Sequence, residues 1–312
     1  QSFAVMAGHE TVLKQEAIDA LVTNPHGVFV DCTYGRGGHT QLIIDNIAAD
    51  GKVLAIDKDL TAIEDAARRF KDESRFEIVH GSFRHMAEMI AERGLGLVDG
   101  VLIDLGVSSP QLDEAERGFS FSHDGPLDMR MDQSQGQTAA EWLNSAKASD
   151  IAYVIRRFGE EKFARRIAYR IVDAREEAPL VTTGDLARIV EAAVPFRDQK
   201  KHPATKTFQA IRIFLNDELQ DLEACLDSIL PVLAPGARLV VISFHSLEDR
   251  IVKRFMRDKA RGEQLPSRLP IRDADIVRHL KIIGKPVKPS EAEVRGNRRS
   301  RSSIMRIGEK LP

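Results

Sequence analysis

The sequence predicts an α/β fold: a mostly parallel sheet with helices on both faces, interrupted by an all-helical domain. Three observations predict it. Apolar runs at Val28–Val30, Lys52–Asp57, Phe76–His80 and Val98–Asp104 alternate with segments of helical spacing. Continuous apolar strands of that kind belong to parallel sheets covered on both sides. The first run ends in Asp31 and leads into glycines 35, 37 and 38, after which Gln41–Ile47 resumes helical spacing. Doubly wound sheets build their first ligand-binding turn this way, because glycine lets the backbone approach a ligand and the helix N-terminus presents free N–H groups. Finally, the strand rhythm stops between about Leu112 and Lys201 and then returns.

In chain order, Val12–Val22 has helical spacing, and Thr61–Phe70 and Met86–Arg93 are the helices after the second and third strands. Residues 113–136, rich in Asp, Gly, Ser and Met, read as irregular loop. Helical patterns follow at Ala139–Leu143, Ile151–Phe158, Phe163–Arg175 and Leu186–Val194, with Ser149 and Thr182 or Thr183 as N-caps and Pro179 and Pro195 as stops. One long amphipathic helix is expected from Thr205 to Leu230. The Pro235-Gly236 turn then leads into a fifth strand, Arg238–Phe244, and a basic helix, Leu247–Lys259. A Pro-rich linker, Leu265–Pro270, precedes two short strand-like runs, Ile276–Ile283 and Ser303–Ile307. The division that results is a core in two parts, residues 1–111 and 205–312, around a helical insert at 112–204.

At 312 residues and 43% hydrophobic composition, the chain can bury a large core plus a smaller domain. A net charge of -2 confines any nucleic-acid contact to local patches. Cys32 and Cys225, without a C-x-x-C pair or a Cys/His cluster, argue against a disulfide framework or structural zinc, and no metal site is expected. There is no apolar run of about 18 residues, so no membrane span is expected. The stretch Gln1-Ser-Phe-Ala-Val-Met6 lacks the pattern of a signal peptide. A cytosolic protein is the simplest reading.

Asp57 lies about 20 residues beyond the glycine loop, where a carboxylate in such folds binds the ribose hydroxyls of an adenosine ligand. Phe83, just after the third strand, is placed to flank an adenine, or else it is a core aromatic. A nicotinamide dinucleotide and S-adenosylmethionine both suit these positions. The glycine loop reads Asp31-x-x-x-Gly35-x-Gly37-Gly38, offset from G-x-G-x-x-G, which counts against a dehydrogenase. A second loaded loop, Asp104-Leu-Gly-Val-Ser-Ser-Pro-Gln111, follows the fourth strand, where methyltransferases keep their reactive-group loop. The terminal pair of short strands suits a Rossmann-like methyltransferase sheet of seven strands.

Six segments carry a closer likeness: Gly35–Thr40, Asp104–Asp113, Arg117–Phe121, Gly125–Met131, His202–Ile213 and Ser243–Arg250. In these segments, in order along nearly the whole chain, the sequence resembles the bacterial 16S rRNA cytosine-N4 methyltransferases. The resemblance implies a class I fold that uses S-adenosylmethionine to methylate the exocyclic amine of a cytidine in the decoding centre, at the P site of the small ribosomal subunit. The methyl group would pass in line, with no covalent enzyme intermediate. It implies cofactor contacts from Gly37, Gly38, His39, Asp57, Phe83, Asp104 and Gln111, and a helical insert that helps hold RNA. It leaves open whether the free enzyme is a monomer or a homodimer.

An exocyclic cytosine amine is a poor nucleophile, so it needs in-line placement and an acceptor that strengthens as the nitrogen becomes positive. Asp104 is a candidate acceptor, or it binds the cofactor's amino group. The amino-methyltransferase pattern of an acid or amide followed by Pro-Pro-aromatic is absent, since Asp104-Leu-Gly-Val stands there. Methylation at ring carbon 5 would need a cysteine nucleophile, and Cys32 and Cys225 read as packed thiols. His245, after the fifth strand, is a second catalytic candidate, or a residue that orients the base or binds phosphate. Phe244 could stack on a flipped base. His202, Lys206, Arg212 and Asn216 are further RNA candidates.

Local charge supplies the rest of the RNA signal. Arg250, Lys253, Arg254, Arg257, Lys259 and Arg261 crowd one helix. Arg295, Arg298, Arg299, Arg301 and Arg306 crowd the tail, and Arg197, Lys200, Lys201 and Lys206 the return from the insert. Two other readings stand beside this one: a protein that keeps the fold but only binds RNA, and a methyltransferase acting on a small molecule or a protein. The cofactor-type residues count against the first, and only the resemblance and the basic patches exclude the second.

Overall fold

A computed structural model describes residues 11–195, 201–263 and 266–312. The expectations for Gln1–Met6, for Arg197 and Lys200, and for Leu265 at the start of the linker fall outside the described residues. The chain forms two compact units, residues 1–106 with 219–312 and residues 107–218.

In the first unit, α1 (Lys14–Leu21) precedes β1 (Val28–Asp31), α2 (Gly38–Asn46), β2 (Lys52–Asp57), α3 (Leu60–Arg69), β3 (Phe76–His80), α4 (Met86–Glu92) and β4 (Val98–Asp104). The second unit holds α5 (Ser109–Asp113), α6 (Ala139–Ser145), α7 (Ala148–Gly159), α8 (Ala164–Glu177), α9 (Thr183–Ala193) and α10 (Thr205–Leu215). The chain then runs through α11 (Glu218–Ile229), β5 (Leu233–Ser243), α12 (Ser246–Arg261), β6 (Leu280–Ile282), α13 (Glu291–Gly296) and β7 (Ile304–Lys310).

The seven strands form one sheet in the order β3-β2-β1-β4-β5-β7-β6. The first five are mutually parallel, and β7 runs antiparallel to both β5 and β6. Strand alternation loads both faces. Val30, Leu54, Ile56, Val101, Ile103, Leu239 and Val241 pack with Met86, Leu222, Cys225, Val252 and Met256, on α4, α11 and α12. Their neighbours Phe29, Val53, Ala55, Leu102, Val240 and Ile242 pack with α1, α2 and α3. Two-sided burial is why these strands read as unbroken apolar runs. Both cysteines are free and buried, and the Cys32 thiol, pushed up by burial, lies 3.5 Å from Met86 Sδ.

The helical unit has its own core, built on Leu127, Met129, Trp142, Leu143, Ile151, Ile155, Ile167, Leu186 and Phe208. Local signals place its helices unevenly. Thr182 caps α9 in a reciprocal box with Asp185, whereas α7 begins after Lys147 without a side-chain cap, so Ser149 is inside the helix rather than at its cap. The single helix expected from Thr205 to Leu230 is instead two, α10 and α11. They are broken at Asn216 and Asp217, where Asp217 adopts φ 50°. As a result α10 belongs to the helical unit, and the units divide at 106/107 and 218/219 rather than at 112 and 204.

Asn216 explains the break. It is 7% exposed, and its amide donates to the carbonyls of Met129 (2.9 Å) and Arg212 (2.8 Å) while accepting from Met131 N–H (2.8 Å). Met129 is fully buried and holds a left-handed φ of 64°, which a side chain other than glycine adopts only when its surroundings fix it. Asn216→Ala orphans the buried Met131 N–H and is expected to destabilise the protein by about 2 kcal/mol, read as a lower urea midpoint with loss of exchange protection concentrated in residues 107–218.

Candidate active site

Three strands of the first unit end in a carboxylate at the same edge of the sheet: Asp31 on β1, Asp57 on β2 and Asp104 on β4. Parallel pairing in register brings their carboxyl ends together, and in open α/β sheets that edge is where ligands bind. Asp31 is fully buried, accepting from Thr40 Oγ1 (2.6 Å) and Thr33 N–H (3.1 Å). Asp57 accepts from Gly35 N–H (2.8 Å) and Asp59 N–H (2.9 Å). Thr33 also accepts the Asp104 N–H at 2.7 Å, tying the β1 and β4 ends together.

Burial dominates the electrostatics of all three acids. It raises Asp31 to about 7 against the hydrogen bonds that oppose it, and Asp57 to about 6. Asp104 rises to about 8, with the neighbouring charges of Asp31 and Glu248 adding to burial and Arg299 opposing. The Asp104 side chain is 21% exposed, but its Oδ1 is buried and has no hydrogen-bond partner among the described residues. His39 Nδ1 lies 3.5 Å from Asp104 Oδ2. Burial lowers this imidazole to about 4, with Lys14 adding to the effect and the Val12 carbonyl opposing it. Burial thus favours the neutral form of both the ring and the acid that it faces.

The glycine loop closes the other side. Gly35 and Gly37 have φ of 57° and 81°, and Gly37 caps α2. A Cβ on Gly37 would lie 2.6 Å from Tyr34 Oη and 2.9 Å from an Arg69 nitrogen. Tyr34 is buried and bonded to Asp65 (2.8 Å), so it does not yield easily, while the exposed Arg69 holds the Arg36 carbonyl (2.7 Å). The first intrahelical bond of α2 runs from Gln41 N–H to the Gly37 carbonyl, so the preceding N–H groups have no helical partner. A Cβ on Gly38 would collide with the Thr11 hydroxyl.

The remaining expected positions divide. Phe83 is half-buried in a 3-10 turn after β3 and packs partly into the core beside α4. Next to it, Asp221 of α11, 2% exposed, pairs with Lys58 and stands 3.6 Å from Arg84. Gln111, in the helical unit, closes a capping box with Ser108 and is 5% exposed. Phe244 lies against Gly106: a Cβ there would be 3.6 Å from the ring. The Phe244 N–H donates to Glu248 Oε1 (2.9 Å), the Glu248 N–H donates to His245 Nδ1 (3.4 Å), and His245 Nε2 stands 3.3 Å from Glu248 Oε2. Both ring nitrogens of His245 thus face Glu248, which ties the ring to the first turn of α12, while its buried Nε2 has no hydrogen-bond partner among the described residues.

The RNA candidates also divide. Arg212 is paired with Glu218 (2.9 and 3.3 Å), and Asn216 is the internal strut already described, so this pair is turned to structure rather than to solvent. His202 accepts from Ala204 N–H (3.0 Å), holds Glu191 at 2.7 Å and packs against Phe121 with ring centroids 4.3 Å apart. Lys206, Arg254 and Arg257 are exposed, whereas Arg306 is bound to Asp249 at 2.7 and 3.0 Å. Asp31 and Glu248 were not expected at the site. Asp31 carries the same signal as Asp57, an acid ending an apolar strand. Glu248 carries none, because an acid in a helix's first turn ordinarily reads as a partner of the helix dipole. Among the described residues, no group of three or more His, Cys, Asp or Glu is placed to hold a metal ion, and no helix is long and apolar enough to cross a membrane.

Known proteins resemble this chain closely in sequence. The profile of the MraW methylase family matches residues 6–311. A protein of Alteromonas mediterranea called ribosomal RNA small subunit methyltransferase H is 54% identical over 306 residues, covering 97% of each chain. Solved structures are more distant. An rRNA methylase from Streptococcus thermophilus is 10% identical with a TM-score of 0.42, over 95% of this chain and 92% of that one. A methyltransferase homologue from Pyrococcus horikoshii is 12% identical with a TM-score of 0.44, over 100% and 73%.

The raised acids make the free protein's stability depend on pH. Between about 3.8, the ordinary value, and about 8, the native state holds protons that the unfolded chain has released, so stability falls as pH rises. Asp104→Asn removes one such group. Its melting temperature is expected to gain on that of the unaltered protein between pH 5 and pH 8.5, and a constant difference across that range would contradict the assignment.

Proposed function

We infer the reaction from one premise: the chain belongs to the MraW methylase family and is a methyltransferase. The reading is transfer of a methyl group from S-adenosylmethionine to the exocyclic N4 amine of a cytidine in the decoding centre of small-subunit 16S rRNA. The observation that carries it is the end-to-end match to a small-subunit rRNA methyltransferase, 54% identical over 97% of both chains. The resemblance of the motifs Asp104–Asp113 and Ser243–Arg250 supports cytosine N4 as the acceptor.

The residues of the first unit fit an adenosyl-amino-acid ligand. Gly35 and Gly37 hold left-handed φ and turn the loop into α2, whose first N–H groups have no helical partner and suit the carboxylate of such a ligand. Asp57 accepts the Gly35 N–H on one oxygen and the Asp59 N–H on the other, which fixes both oxygens of its carboxylate to face a pair of ribose hydroxyls. The unpartnered Oδ1 of Asp104 suits an ammonium or amine N–H. Gly37, Gly38, His39, Asp57, Phe83 and Asp104 would hold the cofactor. When bound, it supplies an electrophilic methyl on a positively charged sulfur.

The chain's own residues then have separable tasks. A cation at the sheet edge favours the ionised forms of Asp31, Asp57 and Asp104, so binding is expected to release protons at neutral pH. Neutral His39 holds Asp104 from behind without competing as a cation. Phe244, seated on Gly106 by the Glu248 bond to its backbone, offers a ring face to an extruded base. Asp104 has two candidate partners, the cofactor's amino group and the target amine. Transfer is direct, and neither buried thiol takes part.

The test uses small subunits and naked rRNA, both from cells lacking the enzyme, with methyl-labelled donor and identification of the modified nucleoside. N4-methylcytidine formed on subunits is the expected product. Transfer to no RNA despite tight cofactor binding would move the substrate to a small molecule or a protein. Asp104→Asn is expected to weaken cofactor binding about tenfold or more and to lower kcat. Normal binding with full-rate transfer would remove Asp104 from both roles.

A further inference from the structure

The α7–α8 hairpin of the helical unit carries a basic and aromatic face outside the patches expected from the sequence. Arg156 and Arg157 occupy the last turn of α7, Lys162 the turn between the helices, and Arg165 and Arg166 the first turn of α8. All five are exposed, and none forms an ion pair with a described residue. The placement on α8 runs against its dipole: its first turn holds two arginines and no acid, where negative charge is favoured. Cations kept there without a carboxylate partner among the described residues suit an anion from outside.

Two tyrosines flank the cluster. Tyr153 is 64% exposed and Tyr169 is 51% exposed. They lie six residues before the end of α7 and five after the start of α8, so both stand about 8 Å from the hairpin tip. Each shares a helix face with the cations, since residues three and four apart are neighbours: Tyr153 with Arg156 and Arg157, Tyr169 with Arg165 and Arg166. The Arg165 guanidinium lies 5.7 Å over the Tyr169 ring. The opposite faces of the two helices, at Ile151, Val154, Ile155, Ile167 and Ile171, fill the unit's core, so the outer face is not needed for folding.

We propose that this α7–α8 face binds single-stranded or looped RNA, its cations on phosphates and its tyrosine rings on unstacked bases. Unpaired arginines supply the counter-charge for a backbone, and exposed rings beside them supply the sequence-tolerant stacking that single strands offer and acidic proteins do not. The proposal rests on the rRNA reading above and adds the surface that grips the substrate.

The test compares the full chain with Arg157→Gln/Arg165→Gln/Arg166→Gln and with Tyr153→Ala/Tyr169→Ala. Binding to 16S rRNA fragments is measured against salt, with cofactor affinity and methylation of subunits alongside. All five positions are exposed, so cofactor affinity and melting temperature are expected to hold. The triple variant is expected to bind RNA about tenfold or more weakly and to flatten the salt dependence by about 2 in log–log slope, because three phosphates keep their counter-ions. The tyrosine pair is expected to weaken binding about tenfold with the slope unchanged. Unchanged affinity and slope in both variants, while the parent protein binds and methylates RNA, would overturn the surface and leave the function standing. Weakened binding to intact subunits but not to naked rRNA would assign the face to a ribosomal protein and overturn the proposal. A parent protein that transfers no methyl group to RNA would overturn the functional reading itself.

Discussion

The structure depends on an edge where three parallel strands each end in a carboxylate, fully buried at Asp31 and partly buried at Asp57 and Asp104. Parallel pairing leaves little choice: the carboxyl ends of β1, β2 and β4 lie side by side, and residues placed there share one low-dielectric environment. Three negative charges at such an edge repel one another and forgo hydration. The fold answers Asp31 and Asp57 with backbone N–H groups and the Thr40 hydroxyl, and Asp104 with the charge of Arg299, but burial outweighs these, so Asp31 and Asp104 remain partly proton-bound near neutrality. An edge built this way is poised for a cationic ligand, since each acid ionises more readily once positive charge arrives. The same constraint explains His39, whose burial makes it a neutral support for Asp104 rather than a competing cation.

Around this edge the loops are fixed by neighbours rather than by their own chemistry. The glycine loop keeps its course because Tyr34 and Arg69 fill the space under it. The loop after β5 keeps its course because Glu248 binds the Phe244 N–H from inside the first turn of α12. A buried carboxylate in that position does two things: it aims the Phe244 ring, and it adds to the negative field at Asp104. The helical unit obeys the same logic on its own core, where Asn216 ends α10 by pinning the strained backbone of Met129.

The sheet was legible in the sequence because burial on both faces leaves an unambiguous mark. Runs such as Val28-Phe-Val and Val101-Leu-Ile cannot face water on either side. Asp57 and the glycines at 35, 37 and 38 were legible for a related reason, since their spacing follows from the geometry of a strand, a turn and a helix. The roles of Arg212, Asn216 and His245 were not. Each is a polar residue in a segment of clear pattern, and nothing in the pattern tells whether its hydrogen bonds go to a substrate or to Glu218, Met129 and Glu248. Residues far apart in sequence supply the partners for Asn216, and sequence spacing carries no record of such contacts.

The sequence by itself determined the fold class, the strand-end positions of Asp31, Asp57 and Asp104, and, through its long motifs, the family. These are properties of local periodicity and of residue order, and both are written along the chain. Only the tertiary structure decided that the segment from Thr205 to Leu230 is two helices and that His39 is neutral. It alone decided that Asp104 keeps an oxygen without a hydrogen-bond partner among the described residues, and that the outer faces of α7 and α8 carry cations and tyrosines. Those properties depend on burial and on partners across space, because the same side chain is charged in water, neutral in a dry pocket and structural beside a distant carbonyl.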